Sequence, residues 1–444
     1  MKKVSYSYAH IWKIAYPILL TLLAQHLIQA IDTAFLGHVG EIELGASAIA
    51  GIFYVALFTI AFGFSTGSQI LIGRRNGEGN YKKIGETVVF GAAFLWLLAI
   101  IIFILVQTAA EPILQMVLSS DKILDACVEY LDWRIYGLFF STINVMFRAF
   151  FVGITKTKVL SVNAIIMALT NVLFDYLLIF GNWGFPQMGI AGAAIASVIS
   201  EAVSVVFFII YLFVAVDLKK YGFTGISIKQ FTIIKSILNI SFSLMVQSFL
   251  SVSTWLIFFF AIERMGEATL AASNIIRSLY GIIGIPVWAL GTTSNTLVSN
   301  IIGEGKQDEV VPLIWKVNRF GLIIVAIVMI VLLAAPRLII SIYTSDPNII
   351  NLTLPSFYVI MGVLPVFVLG NTFFQSVSGT GNTRSALAIE IFTLVIYTFW
   401  IWLMAIHIQA PLHICWISEL IYAAGLGILS FIYFSRGKWK NKNI

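Results

Sequence analysis

Charge is what this sequence has least of. Asp, Glu, Lys and Arg make up only 11% of its 444 residues against 59% hydrophobic, and the mean hydropathy is +0.96. A soluble domain of that balance has too little polar surface to cover its apolar side chains. The chain is therefore an integral membrane protein. Cysteine is nearly absent: Cys127 and Cys415 stand far apart, which excludes a disulfide framework and a cysteine metal cluster, and both read as packing residues. The five histidines (His10, His26, His38, His407, His413) show no HExxH spacing. "GRRNGEG" has glycines but neither a preceding strand nor a P-loop lysine, so nucleotide binding is not expected and the motif suits a cytoplasmic turn. Without grouped nucleophiles, metal ligands or a phosphate loop the chain is not expected to be an enzyme, and no cofactor is expected.

What is present is apolar length. The long runs do not alternate as barrel strands would, and irregular backbone is excluded from lipid, so the runs are helices. Twelve spans are expected, centred near residues 24, 59, 97, 142, 170, 203, 248, 285, 327, 366, 396 and 423. The first is too long for a signal h-region and lacks a cleavage site. Basic residues gather in alternate loops: Lys2 and Lys3; Arg74, Arg75, Lys82 and Lys83; Lys156 and Lys158; Lys219, Lys220 and Lys229; Lys306, Lys316 and Arg319; Arg384; and Arg436, Lys438, Lys440 and Lys442. The opposite loops offer little beyond Lys122, Arg264 and Arg337. Both termini are therefore expected on the cytoplasmic side, and the pI near 9.1 reports orientation rather than a nucleic-acid partner.

An internal repeat organises the spans. "GEIELGASAI" (40–49) aligns with "GEATLAASNI" (266–275), "SQILIGRRNGEG" (68–79) with "SNTLVSNIIGEG" (294–305), and "GITKTK" (153–158) with "GTGNTR" (379–384), all at one offset of 226 residues. After a gap "ISEAV" also matches "ISELI", which pairs Glu201 with Glu419. Six spans per half is an even number, so the halves cross the membrane in the same sense and are related by an axis along its normal. The expected fold is all-α: two six-helix bundles, 1–214 and 232–444, joined by a cytoplasmic linker, 215–231. A cleft between the bundles, opened alternately to each side, is the architecture of a transporter, expected to work as a monomer.

The order of these motifs, with "GIAGAAIAS" opening the sixth span, resembles the multidrug and toxic compound extrusion (MATE) transporters over essentially the whole chain. The resemblance implies efflux of amphipathic, often cationic compounds, driven by inward H+ or Na+. One branch, archaeal and DinF-like, has an aspartate on the first helix, an Asn-x-x-x-Asp pair on the fifth and a hydroxyl on the sixth. Matching positions are Asp32, Asn171 and Asp175, and Ser197 where threonine is commoner; Gln25 and Pro17 also match, the proline where the first helix can bend. The NorM-like branch instead uses acids in the seventh and tenth helices, and the spans here, "FSLMVQSFLSVSTWLIFFFAI" and "LPSFYVIMGVLPVFVLGNTFFQSVSG", have none. The repeat offset turns Asp32, Asn171 and Asp175 into Phe258, Tyr397 and Ile401, so the site belongs to one half only. A lipid-linked oligosaccharide flippase of the same superfamily is the alternative.

The residues carry their own argument. A carboxylate at mid-membrane costs a few kcal/mol, so Asp32 is expected to face a cavity or a partner. Gln25 lies two turns earlier on the same face, and Asn171 and Asp175, four apart, share a face. Two carboxylates a few ångströms apart cannot both ionise easily, so such a pair can carry a proton. Equally, Asp32, Asn171, Asp175 and Ser197 supply the hard oxygens an Na+ ion prefers, and the same residues support either ion. Glu201, one turn after Ser197, is a further candidate acid. Arg148 is the expected counter-charge, to Asp175 or Glu201. Glu390 is expected near the cytoplasmic mouth and solvated, and Met245, Phe249 and Phe258 are expected to line an aromatic substrate cleft. Expected partners are small organic cations and membrane lipid, and the expected location is the bacterial inner membrane.

Overall fold

A computed structural model describes residues 6–441 apart from residues 117 and 119, with the side chains at 228, 229, 438 and 441 outside the description. Lys2, Lys3 and Lys442, which enter the orientation argument, lie outside the described residues. The described chain is helical, without a strand. Among the described residues eleven helices are long and apolar enough to cross a membrane, and a bent pair, counted as one span, brings the number to twelve.

The repeat extends to the ends of some of the helices. In the first half α1 is Tyr8–Val39, α2 Glu41–Gly77, α3 Lys82–Gln115, α4 Asp121–Arg134, α5 Gly137–Gly153, α6 Lys158–Phe180 and α7 Gly189–Ala215. In the second, α8 is Ile233–Glu263, α9 Glu267–Gly303, α10 Val310–Ala334, α11 Pro336–Ser341, α12 Pro347–Gly379, α13 Thr383–Ile401, α14 Leu412–Cys415 and α15 Ile417–Ser435. The 37-residue helices α2 and α9 begin and end 226 residues apart, and so do α4 with α5 taken together and α12. That pair differs in continuity: α12 runs unbroken through Pro355 and Pro365, whereas α4 and α5 meet at 52°. A span expected as one helix near residue 142 is thus broken, and the break coincides with Gly137, a residue at which helices kink.

Backbone conformation follows the repeat too. The glycines that end the two GEG motifs, Gly79 (φ 70°) and Gly305 (φ 74°), both adopt the left-handed conformation that turns α2 into α3 and α9 into α10. Gly381 (φ 83°) does the same after α12, but its counterpart in "GITKTK" is Thr155, held at φ 59°. A β-branched residue is strained there. Thr155→Gly is expected to stabilise the protein by about 1 kcal/mol, read as a raised melting temperature in detergent. An unchanged or lowered melting temperature would show that Thr155 is held by contacts worth more than its strain.

The chain forms two compact units, residues 20–245 and residues up to 19 with 246–444, the boundaries falling inside α1 and α8. In the first unit α6 and α7 pack closely because "GIAGAAIAS" places small residues on the contact. A Cβ on Gly192 would fall against the backbone of Leu178 and Ile179, and Met188 N donates to Leu178 O (2.8 Å). The segment after α7 packs on the same unit: Gly85 N donates to Tyr221 O (2.7 Å), Tyr221 and Phe223 meet Phe150 edge-on, and Gln230 donates to Glu86 (3.1 Å). The start of α8 follows it, with Ser241 Oγ donating to Phe64 O (3.0 Å). In the second unit the start of α1 is fastened to the α9–α10 turn, where Tyr6 OH donates to Glu304 (3.0 Å) and Lys316 Nζ donates to Tyr6 O (2.7 Å). Burial and the Glu304 carboxylate push the Tyr6 phenol up from its ordinary value.

Candidate functional site

Within the first unit two helices, α1 and α6, bring their polar residues together. Asn171 and Asp175, one turn apart on α6, are fully buried, and Asp32 of α1 is partly buried beside them. With its amide oriented to satisfy both acids, Asn171 Nδ2 lies 3.1 Å from Asp175 Oδ2 and 3.1 Å from Asp32 Oδ1. The two carboxyl groups are themselves in side-chain hydrogen-bonding range. Asp175 Oδ1 is buried without a partner. The group therefore offers carboxylate oxygens to a proton or a small cation and supplies no positive charge of its own.

The other candidates stand around this group at different distances. Ser197 is buried on α7 and its carbonyl accepts from Ser200 Oγ (2.8 Å), but no hydrogen bond joins its side chain to Asp32 or Asp175. Gln25 is exposed on α1, two turns from Asp32, or about 10 Å along the axis. Pro17 is buried, and α1 runs through it as one helix.

Glu201 has a base, but not the expected one. Arg134, the last residue of α4, meets it with both ends of the guanidinium, Nη1 at 3.1 Å from Oε2 and Nη2 at 2.7 Å from Oε1, with the two side chains only 12% and 11% exposed. This is the planar, two-point pairing that arginine makes best. Arg148 instead lies over the Phe62 ring, 5.1 Å from its centroid, with no ion pair among the described residues. The break in the fourth span explains the outcome, because it frees the end of α4 to turn Arg134 inward between α2 and α7. There the guanidinium also lies 3.9 Å over the Tyr54 ring, hydrogen-bonds Tyr130 and acts on the charge of Asp32. A Cβ on Gly137 would collide with Arg134 Nη1 and Glu201 Oε2, so glycine at the bend is what leaves room for the pair. Arg134, Tyr130 and Tyr54 are residues the sequence reading missed. One signal was available: the repeat puts Ile360 opposite Arg134, and a base where the other half has isoleucine marks a position that does something different.

These pairings set the charge balance. Arg134 neutralises Glu201, and no base among the described residues pairs with Asp32 or Asp175. Two adjacent carboxyl groups without a cation are the part of this unit that needs a proton or a metal ion.

Two other expectations are overturned. Glu390 is not solvated: it is 0% exposed on α13, held by Ser251 of α8 and by Tyr422 OH of α15 (2.9 Å). The hydropathy that suggested a mouth position says nothing of which helices surround the residue. Phe258 does not line a cleft. It is 1% exposed in the core of the second unit, edge-on to Trp416 at 5.0 Å, while Phe249 is 48% exposed and Met245, in the first unit, is partly buried. Nine residues of helix separate Phe249 from Phe258, two and a half turns, which puts them on opposite faces.

Known proteins agree with this organisation. A relative from Thermotoga maritima, named a probable multidrug resistance protein NorM, is 24% identical over 442 residues, covering 97% of this chain and 93% of that protein. Another of the same name from Neisseria meningitidis is 22% identical over 431 residues, covering 92% and 93%. Among solved structures, a MOP superfamily transporter from Pyrococcus furiosus, described by the reversed polarity of its binding pocket, shares the fold with a TM-score of 0.87 at 17% identity, over 98% of this chain and 96% of that one. A eukaryotic MATE transporter gives 0.85 at 18% identity, over 97% and 96%. The MatE family model matches residues 17–177 and again 240–403, once in each half of the repeat. Two matches that follow the repeat and together cover most of the chain make this protein a member of the MatE family.

Proposed function

We propose that this protein is a secondary active antiporter that exports amphipathic organic cations in exchange for H+ or Na+ moving inward. One observation carries the reading: two carboxyl groups, Asp32 and Asp175, bridged by Asn171 in a membrane-spanning unit, with no ion pair to a base among the described residues. Family membership and the names of the relatives support drug efflux. Asp32 is the principal coupling acid, Asp175 and Asn171 share its ion, and Ser197 and Gln25 stand as outer groups. Glu201, paired with Arg134, holds the charge balance next to them. Coupling belongs to the N-terminal half, since α12 has no carboxylate and α8 only Glu263 at its end. Ion binding changes the charge and hydrogen bonding at Asp32 and so biases α1 between states open to either side, and export follows if ion and drug favour different states. The alternation of Lys and Arg supports cytoplasmic termini in a bacterial inner membrane.

The test is uptake of ethidium into proteoliposomes carrying an imposed pH gradient or an imposed sodium gradient. Accumulation driven by one of the two is the expected result and names the ion. Folded protein that accumulates nothing under either gradient overturns the reading.

A further inference from the structure

The second half keeps an acid that the first half neutralises, and drops the base. Glu201 and Glu419 correspond across the repeat, and so do Tyr54 and Tyr280, each beside its glutamate. Arg134, however, corresponds to Ile360, which is 1% exposed in the apolar core. Around Glu419 the guanidinium is replaced by neutral donors: Tyr397 OH at 3.0 Å and Trp255 Nε1 at 3.4 Å, both on Oε1, together with Tyr280. Tyr397 stands at the position of Asn171, and Ser251 at that of Gln25.

A second acid lies beside the first. Ser251 and Tyr422 both hydrogen-bond Glu390 Oε1, and the Tyr422 and Tyr397 rings are 6.0 Å apart between the two glutamates. Glu390 is completely buried, and its Oε2 has no hydrogen-bond partner among the described residues. Ionising Glu390 would leave a buried charge with hydrogen bonds to only one of its two oxygens and no counter-ion among the described residues, which burial strongly disfavours.

Among the described residues no base pairs with either carboxyl from the helices packed around them. On α9, Arg277 is exposed and lies over Phe259, 5.3 Å from the ring centroid. Glu267 of α9 and Lys235 and Glu263 of α8 are exposed, and the titratable side chain of α12, Tyr358, is exposed as well. Beyond Glu390, α13 carries Arg384, which is exposed at the helix start, and Tyr397, while α15 carries Tyr422 and Tyr433 besides Glu419. His407 stacks on Trp402 (5.7 Å), Cys415 is buried against Met265, and His413 is the remaining titratable group of α14.

We propose that Glu390 and Glu419 form a second proton-binding site, in the C-terminal unit, which exchanges protons independently of Asp32. A proton supplies the charge that Arg134 supplies in the first half. Difference infrared spectra of the full chain in detergent, recorded while acid is added, read this directly through the carbonyl stretch of protonated carboxyl groups. In wild type a pH-dependent carboxyl band is expected to survive Asp32→Asn, and to shrink in Glu390→Gln and again in the double variant with Glu419→Gln. Glutamine has the shape of a neutral glutamic acid and keeps the donors satisfied. Should it still fail to fold, Tyr422→Phe, which removes one hydrogen bond from Glu390, is expected to move the midpoint of that band. The proposal falls if Asp32→Asn removes all pH-dependent carboxyl absorption, if the glutamine variants leave it unchanged, or if the bands lost in them never respond to pH. Because nothing is transported in this measurement, its failure is separate from failure of the antiport assay.

Discussion

Replacing Asp32 with asparagine is expected to abolish gradient-driven accumulation, down to the level of protein-free liposomes, while leaving the protein folded and inserted. Asparagine has the size of aspartate and can still meet Asn171 and Asp175, so the packing of α1 on α6 is kept. What it cannot do is carry a charge. With Asp32 neutral at every pH, the site keeps only the Asp175 carboxyl and loses the two-carboxylate arrangement that binds the ion, so the ion gradient no longer discriminates between the two states of the protein. A ligand that binds both states equally shifts neither. Ethidium uptake under the gradient that drives wild type is the measurement, with monodisperse elution in detergent as the folding control. Full accumulation by Asp32→Asn would refute a coupling role for the residue.

The second large effect concerns Arg134 and Glu201. Removing either partner leaves the other charge buried, so Arg134→Leu and Glu201→Leu are each expected to destabilise the protein by about 3–5 kcal/mol, while the double variant recovers most of that loss. The asymmetry arises because an apolar pair of similar volume has no desolvation to offset. Gly137→Ala is expected to resemble the single variants, since its methyl group would occupy the space between the guanidinium and the carboxylate. Denaturant unfolding in detergent checks this: losses that simply add in the double variant would mean that the two charges do not interact. Arg134 also acts on Asp32, so the single variants are expected to impair export beyond what lower stability alone explains.

The two halves make the same point from different sides. A shared offset of 226 residues reproduces the ends of α2 in α9 and of α4 with α5 in α12 to the residue, and even the backbone reversal at Thr155 and Gly381, because local backbone preferences are written in neighbouring residues. The same offset also identifies the substitutions that separate the halves. Arg134 against Ile360, and Asp32 against Phe258, turn one polar arrangement into two different ones. Reading the offset at position 134 would have shown where the base lay.

Hydropathy, helical periodicity and the motifs repeated at one offset determined the membrane class, the expectation of twelve spans, the repeat, and the placing of Asn171 and Asp175 on one face of one helix. Those properties depend on a residue's own chemistry and on the geometry of a single helix. Only the tertiary structure decided that Glu201 pairs with Arg134 and not Arg148, that Glu390 is buried among Ser251 and Tyr422, and that Phe258 belongs to the core. Each of these turns on which helix a given face meets, or on a bend such as that at Gly137. Rotation and approach between helices are set by side-chain packing across the bundle, which spacing along one chain does not encode.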